Sequence, residues 1–372
     1  MKKIMVLDKE YPSPNHLYGD VFVHTRIKEY KKHADIKVIS FFRDYPDYEY
    51  EGVTVTHLLT VEALLKEYEA YAPDAVFIHF YDHRLYGFIQ SVKVPVIIWV
   101  HGYEALGWYR RLYNHTLKSF LFHAWSNITS NIRQMKGFRE LINYSNKTGK
   151  VKFVFVSKWM RNICETDSFF ARIKHFYIIP NPINLQQFRY EKKNDDLRKK
   201  ILLIRSFSSR KYATDIAVDA ITALQDKPYF KELHFALYGD GDKFETITQP
   251  LKGLPNVALH RKFLPNSDIA EIHKQYGIFL CPTRQDAQGV SMCEAMASGL
   301  IPITTDCTAI PEFVTHMKSG WLTRSSKGLT QAIDALYKSP ELFSQLSYGA
   351  AASIKDQCDI EKIIQKELNT IG

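Results

Sequence analysis

Cysteine is scarce in this sequence, and the sequence has no long apolar run. Five cysteines occur among 372 residues, and no two of them form a Cys-x-x-Cys pair. That spacing argues against a zinc site or a disulfide framework. No segment approaches the roughly 18 consecutive apolar residues of a membrane-spanning helix, and the apolar run before Asp8 is too short for a signal peptide. We therefore expect a cytoplasmic protein.

The composition is that of a globular protein with a basic balance. Hydrophobic residues make up 45% of the chain and aromatic residues 13%, and the length is sufficient for two domains with substantial cores. The formal net charge is +9, which suits anionic substrates or an anionic membrane surface. Because no nucleic-acid-binding motif accompanies this charge, DNA or RNA is not an expected partner.

Short apolar segments alternate with amphipathic segments along most of the chain. Strands are predicted at residues 3–8, 36–42, 53–58, 75–80, 94–101, 152–157, 176–181, 201–207, 233–240, 256–263, 277–283, 301–305 and 320–323. Helices are predicted at residues 21–32, 61–71, 213–224, 267–276 and 291–298. This rhythm is typical of parallel, doubly wound sheets, and it predicts an α/β protein with two Rossmann-like domains.

The domain boundary is expected where apolar periodicity lapses and charged residues concentrate, between residues 180 and 198. We place the first domain at residues 1–185 and the second at 186–354. Residues 359–371 form a further amphipathic segment.

The segment PTRQDAQGVSMCEAMASGLIPI carries two acidic residues, Asp286 and Glu294, around a glycine turn that opens a short helix. An apolar strand precedes it and a second strand follows, so it forms a strand, loop, helix and strand unit. Acidic residues near a helix start are often only caps. The backbone N–H groups at the start of this helix would also suit a phosphate, and they belong to Gly289, Val290 and Ser291.

This segment resembles the signature of retaining glycosyltransferases of family 4, in which two glutamates separated by seven residues precede Ala-Met-Ala-x-Gly. Asp286 stands at the first acidic position and Glu294 at the second. The resemblance implies a GT-B fold, with two domains facing each other across a cleft and residues 355–372 crossing back to the first domain. It also implies that Glu294 binds the nucleotide ribose, that Asp286 contacts the transferred sugar, and that the glycine-led amides approach the diphosphate.

Basic residues follow the first strand of the second domain. Where the family places an arginine and a lysine that neutralise the donor diphosphate, this chain has Arg205 and then the adjacent pair Arg210 and Lys211. We prefer Lys211 as the second partner because it lies closer to the following helix. Ordinary solvated charge is the alternative for any of them.

Two further motifs lie in the same domain. Asp240, Gly241 and Asp242 look like the Asp-x-Asp motif that binds a divalent cation in another class of glycosyltransferase, but their position matches a Gly-Asp-Gly turn of family 4. We therefore expect a turn and neither metal nor other cofactor. Phe263 lies at the end of the next strand, where the family commonly contacts the nucleotide base through backbone groups, and residues 261–264 are the candidate contacts.

The first domain offers weaker signals. His101 ends an apolar strand, at a place where family members often carry a histidine near the transferred sugar, and it is our candidate for positioning or proton handling. A structural histidine is the alternative. Glu104 is a second candidate nearby. Gly19 lies in a segment that resembles the glycine loop after the first strand of the family, where a small backbone lets donor and acceptor approach.

Residues 105–150 are rich in aromatic and basic side chains, including Arg110, Arg111 and Lys118. Such a mixture can lie at an anionic membrane surface, or it can form helices that pack on the first domain. Peripheral association with the inner face of the cell membrane is therefore one hypothesis.

Together with these features, the family resemblance implies a retaining, metal-independent hexosyltransferase that moves a sugar from a UDP- or GDP-sugar to a glycan or lipid-linked glycan acceptor, in bacterial surface polysaccharide synthesis. Two alternatives stay open. One is a sugar-nucleotide epimerase or hydrolase of GT-B fold, and the other is a non-catalytic, glycosyltransferase-like scaffold.

Overall fold

The computed structural model describes residues 1–13, 19–114 and 117–372, without the side chains of 117–126. They divide into two compact units. Residues 1–182 together with 361–372 form the first domain, and residues 183–360 form the second domain. Each domain is built on one β-sheet against which helices pack.

The strands of the described residues are β1 Lys2–Asp8, β2 Ala34–Phe41, β3 Tyr48–Tyr50, β4 Val53–Leu58, β5 Ala75–His79, β6 Val96–Val100, β7 Val151–Phe155, β8 Phe176–Ile178, β9 Lys200–Ile204, β10 His234–Gly239, β11 Val257–Arg261, β12 Ile278–Leu280, β13 Ile301–Thr305 and β14 Trp321–Thr323. The α-helices are α1 Val21–Tyr30, α2 Val61–Tyr71, α3 Tyr86–Ser91, α4 Leu117–Thr148, α5 Lys158–Asp167, α6 Thr214–Ala223, α7 Phe244–Thr248, α8 Asn266–Lys274, α9 Val290–Ala297, α10 Ile310–Phe313, α11 Ser326–Lys338, α12 Pro340–Cys358 and α13 Ile360–Leu368.

In the first domain the strands lie in the order β3-β4-β2-β1-β5-β6-β7-β8. All neighbouring pairs are parallel except β3 and β4. Every residue of β5 and β6 is buried, which is why these segments read as continuous apolar runs in the sequence. The carboxyl ends of the central strands bring the segments after Asp8, His79 and Val100 to one edge of the sheet.

In the second domain the order is β11-β10-β9-β12-β13-β14, and all pairs are parallel. The core consists of buried aliphatic and aromatic residues of these strands and of α6, α11 and α12. Since β9 and β12 are neighbours, the loops that follow them lie side by side. That juxtaposition brings the residues after Ile204 next to those after Leu280.

The predicted α/β class and every strand predicted from the sequence are present. The edge strand β3 was missed. It is three residues long, only partly buried, and lies just after Pro46 in a polar stretch, so it shows no apolar alternation.

The structure places the division between domains after Pro182 and again after Ile360, whereas the sequence placed it after residue 185 and before residue 355. The difference at the second crossing has a clear cause, because α12 continues to Cys358 and packs on α9 of the second domain. The two crossing segments also pair with each other, since Ile183 N–H donates to the Cys358 carbonyl at 2.7 Å.

Candidate active site

Arg205 and Ser291 meet where β9 ends and α9 begins. Arg205 directly follows β9 and is only 6% exposed. Its Nη1 donates to Ser291 Oγ at 3.0 Å, and its Nη2 lies 3.5 Å from the Cys281 carbonyl oxygen. A cation is thereby fixed against a helix start, where the first N–H groups lack intrahelical acceptors. An anion would be attracted to this point by both features.

The basic pair Arg210 and Lys211 belongs to a short 3₁₀ helix, Arg210–Tyr212, that is tied to the loop after β12. The Lys211 carbonyl accepts hydrogen bonds from Thr283 Oγ1 at 3.0 Å and from Arg284 N at 2.8 Å. The Arg284 guanidinium in turn donates to the Arg210 carbonyl. These bonds hold the 3₁₀ helix beside the loop that contains Asp286.

The Tyr212 ring distinguishes the two members of this basic pair. The Arg205 guanidinium lies 5.5 Å from the ring centroid, and Lys211 Nζ lies 5.3 Å from the same centroid. Arg210 is exposed to solvent, whereas Lys211 is half-buried. The geometry therefore groups Lys211 with Arg205, in agreement with the order that we preferred from the sequence.

Asp286 acts locally as a cap for the turn that opens α9. Its Oδ1 accepts hydrogen bonds from Gly289 N at 2.9 Å and from Gln288 N at 3.3 Å. Gly289 precedes α9 at φ +82°, a conformation that favours glycine. The Gly289 amide, which we expected to face a phosphate, is thus already bonded to Asp286. Val290 and Ser291 remain the candidate amide donors.

Glu294 lies three residues after Ser291, on the same face of α9. The side chain is half-buried, and its carboxyl group has no hydrogen-bond partner within the described part of the chain. Burial raises the pKa of this carboxyl to about 8. A desolvated acid without a partner carries an energetic cost, which ligand hydroxyl groups could offset.

The segment Asp240-Gly241-Asp242 forms a turn in which both acids meet cations of the chain. Asp240 Oδ1 accepts from Gly241 N at 2.7 Å and from Arg261 Nε at 2.9 Å, and Asp242 pairs with Lys243 at 2.8 Å. Among the side chains that the structure describes, in residues 1–13, 19–114 and 127–372, no three of His, Cys, Asp or Glu are placed to share a metal ion. Phe263 follows β11 and is 42% exposed.

In the first domain, His101 is buried among aromatic rings. Its Nε2 lies 2.9 Å from His79 Nδ1, and its ring packs at 4.8 Å from the centroids of Phe22 and Phe80. Burial, followed by the nearby His79 and Arg26, lowers the pKa of His101 well below 6.5. The imidazole is therefore neutral at pH 7.

Glu104 is part of the same corner. It accepts a hydrogen bond from His101 N at 2.6 Å and another from Gly102 N at 2.9 Å, and burial raises its pKa to about 7. These bonds fix the turn after β6.

Gly19 packs closely against the segment that follows β1, because a Cβ there would lie 2.4 Å from the Glu10 carbonyl oxygen. Residues 14–18 of the predicted glycine loop lie outside the described residues.

The basic segment 105–150 is only partly a free surface. Arg110 forms a two-point ion pair with the buried Asp167, with Nε at 2.6 Å and Nη2 at 2.9 Å from the carboxylate oxygens. It is therefore a structural residue rather than a surface contact. The side chain of Lys118 lies outside the described ones. None of the helices in the described ranges combines the length and apolar composition of a membrane crossing.

Sequence reasoning missed a cavity of about 730 Å³ in the first domain. Its lining comes from separate segments, and it includes Arg111, Arg133 and Tyr103. No single motif could have revealed it, because the fold alone brings these segments together.

Comparisons with known proteins agree with the fold and with the second-domain signature. Residues 198–339 match the family model of the Glycosyl transferases group 1. N-acetyl-alpha-D-glucosaminyl L-malate synthase of Bacillus anthracis is 28% identical over 186 residues, which are 49% of this chain and 48% of that protein. The chain spans about half the length of the curated relatives that it matches.

Solved structures match over nearly the whole chain. Sucrose-phosphate synthase of Thermosynechococcus elongatus has a TM-score of 0.76 at 13% identity, with 99% of this chain and 98% of that chain covered. Anabaena Alr3699/HepE, crystallised with UDP and glucose, has a TM-score of 0.68 at 15% identity, with 100% and 99% covered. Both similarities concern the fold. The predicted fold is thus confirmed as a GT-B fold, and residues 198–339 of its second domain match the Glycosyl transferases group 1.

Proposed function

We propose that the chain transfers a sugar from a nucleoside diphosphate donor to a hydroxyl group of a glycan or lipid-linked glycan, with retention at the anomeric carbon. The observation that supports this most strongly is the joint placement of Arg205, Ser291 and Glu294 around the start of α9. A buried cation, helix amides and an unpartnered carboxyl group are the groups that a diphosphate and a ribose require. The similar HepE structure contains UDP and glucose.

The donor roles follow from the chemistry of each group. Arg205 and Lys211 neutralise the diphosphate, and the amides of Val290 and Ser291 donate to its oxygens. Glu294 accepts hydrogen bonds from the ribose hydroxyls. Phe263 lies against the base, since an exposed aromatic ring at a strand end offers a flat apolar surface.

The transfer step needs no protein nucleophile. The bond between the anomeric carbon and the diphosphate oxygen breaks, and the acceptor oxygen forms a bond to that carbon on the same face. The acceptor proton passes to the departing phosphate. Negative charge grows on the diphosphate during this step, so fixed cations stabilise the transition state more than the ground state, and no metal ion is required.

In the first domain, His101 and Gly19 shape the place where sugar and acceptor approach. Because the imidazole is neutral and its Nε2 is held by His79, we assign His101 a positioning role in place of proton transfer.

Asp286 contacts the transferred sugar through the carboxylate oxygen that does not cap α9. The acceptor belongs to a bacterial surface polysaccharide, and the exposed bases of α4, such as Lys136 and Arg139, allow contact with an anionic membrane.

The test is a panel of UDP- and GDP-sugars assayed for nucleotide release, with and without chelator and with and without glycan acceptors. We expect release from one donor to depend on an acceptor and to be insensitive to chelator. Release without any acceptor would identify an epimerase or hydrolase. Failure to bind every sugar nucleotide would identify a scaffold, and chelator-sensitive transfer would contradict the metal-free mechanism.

A further inference from the structure

The cavity of about 730 Å³ in the first domain lies where several parallel strands end. Lys9 follows β1, Phe80 follows β5, and Tyr103 and Glu104 follow β6, while α4 contributes Arg133 to the lining. Its size falls in the range of small-molecule sites. It is formed by the first domain alone and includes none of the donor residues.

The wall that contains Arg111 is held in place by buried polar groups. Asn131 accepts from Trp108 N and donates to the Leu106 carbonyl, both at 2.8 Å. Asp167 accepts from Gly107 N at 2.7 Å and holds the guanidinium of Arg110. Residues 106–110, which directly precede Arg111, are therefore held by hydrogen bonds to both Asn131 and Asp167.

A third polar side chain braces another part of the cavity wall. Gln134 of α4 accepts from His83 N at 2.9 Å and donates to the Tyr81 carbonyl at 2.6 Å. It joins the loop after β5 to α4. The cavity is thus preorganised, which lowers the entropic cost of binding.

The charges of the lining do not balance. Asp82 is occupied by Arg84, with oxygens at 2.9 and 2.8 Å, and it also lies 3.7 Å from Lys9. Arg111 and Arg133 have no ion-pair or hydrogen-bond partner among the described residues.

The second acid of the lining does not restore the balance. Glu104 accepts hydrogen bonds from two backbone N–H groups, and its oxygens are thereby directed to the turn after β6. Two guanidinium groups that line one cavity without an internal counter-ion would attract an anion.

An aromatic surface adjoins these cations. The rings of Phe80 and Tyr103 stack with centroids 5.7 Å apart, and Tyr103 is 47% exposed. A sugar ring has apolar C–H faces that fit such a surface, while its hydroxyl groups face polar side chains. The combination favours an anionic carbohydrate over an inorganic ion.

We propose that this cavity binds the acceptor through a phosphate or carboxylate group held by Arg111 and Arg133, with a sugar ring against Tyr103. The inference rests on the proposed transferase function and narrows its acceptor to an anionic glycan.

Titration calorimetry on the full chain tests it. Saturating UDP occupies the donor site, and the probes are glucose, glucose 6-phosphate, glucuronate and inorganic phosphate. We expect glucose 6-phosphate or glucuronate to bind at least about tenfold more tightly than glucose, the usual scale of a charge-assisted hydrogen bond. The variant R111Q/R133Q should lose this preference, and Arg139→Gln, an exposed base of α4 outside the cavity, should keep it.

Several outcomes would overturn the inference. These are equal binding of glucose and both anionic sugars, a preference that survives in R111Q/R133Q, or inorganic phosphate binding as tightly as glucose 6-phosphate. Co-sedimentation with phosphatidylglycerol vesicles is a further test, since equal losses in R111Q/R133Q and Arg139→Gln would make these bases lipid contacts.

The measurement of UDP affinity separates this inference from the proposed function. Normal UDP binding without an anionic preference rejects only the acceptor inference. Absent UDP binding with an intact anionic preference rejects the transferase function and the acceptor role, and leaves an anionic carbohydrate site.

Discussion

Arg205 Nη1 donates a 3.0 Å hydrogen bond to Ser291 Oγ, and this bond joins the end of β9 to the first turn of α9. The guanidinium is not saturated by it, because Nε has no hydrogen-bond partner among the described residues. A buried cation with unused donor capacity at a helix start is suited to a diphosphate.

Arg205→Lys should lower turnover of the sugar nucleotide by about 100-fold or more, because lysine retains charge but lacks the planar fork that stabilises the leaving group. Ser291→Ala should have a smaller effect, since it removes only the hydroxyl that orients the guanidinium. Steady-state kcat and KM for the active donor check both variants. If the two substitutions lowered turnover equally, the planar guanidinium would contribute no more than the hydrogen bond to Ser291 that orients it.

Lys211 and Arg210 are the two candidates for the second cation that neutralises the diphosphate, and each serves as the control for the other. Lys211→Gln should lower kcat/KM for the donor by about tenfold or more, because its Nζ lies over the same Tyr212 ring as Arg205. Arg210→Gln should have an effect below about threefold, since this residue is exposed. A larger loss in Arg210→Gln than in Lys211→Gln would reverse the assignment.

Asp286→Asn should lower turnover while UDP affinity and stability stay close to those of the original protein. The asparagine carbonyl oxygen can still accept from Gly289 N, so the start of α9 is preserved, whereas the charge that we propose to contact the transferred sugar is lost. Asp286→Ala should in addition lower the free energy of unfolding by about 1 kcal/mol, as the loss of a cap does. Urea unfolding and kinetics measure the two effects, and unchanged turnover in Asp286→Asn would remove this residue from the reaction.

The sequence predicted the two domains because parallel strands in buried sheets are continuous apolar runs, and β5, β6 and β13 are clear examples. The segment with Asp286 and Glu294 was also predictable, since its residues are adjacent along the chain. The partner of Arg110 was not predictable. Asp167 is 57 residues from Arg110, and only the packing of α5 brings them together.

The environment of Glu294 yields a prediction of pH-dependent stability. In the folded protein its carboxyl keeps the proton up to about pH 8, whereas the reference value is 4.5. The unfolded state therefore ionises first, and stability falls as pH rises from about 4.5 to about 8. Glu294→Gln should remove this dependence. Without nucleotide, the free energy of unfolding of the variant should rise relative to that of the original protein as pH increases from about 4.5 to about 8. The total gain should be on the order of 2 kcal/mol, which is less than the full pKa shift would give because the side chain is only half-buried.

Thermal and urea unfolding at several pH values measure this difference. Glu271→Gln, which changes an exposed glutamate of α8, is the matched control and should follow the original protein. A parallel pH dependence in Glu294→Gln and the original protein would contradict a desolvated carboxyl at this position. The same variant should bind UDP more weakly, because an amide is a poorer acceptor for ribose hydroxyls than a carboxylate.

The last prediction concerns the segment that returns to the first domain. Glu367 of α13 is fully buried and accepts from Arg26 Nε at 2.9 Å and from Trp99 Nε1 at 3.1 Å, while Tyr30 Oη donates to its other oxygen. Glu367→Gln should lower the free energy of unfolding of the first domain by about 3–5 kcal/mol, because the Arg26 cation would stay buried without its counter-charge.

Replacing both Arg26 and Glu367 shows whether Glu367→Gln destabilises the domain by leaving a charge unpaired or by disturbing the packing. The double variant R26M/E367L should be more stable than Glu367→Gln, since apolar residues of similar size can replace a buried ion pair with little loss. Lys366→Gln, at the exposed neighbouring position, should have no measurable effect. Urea unfolding followed by tryptophan fluorescence measures all three. If Glu367→Gln cost less than about 1 kcal/mol, water would be reaching Arg26, and the anchoring of α13 would depend on its apolar residues Ile363 and Ile364.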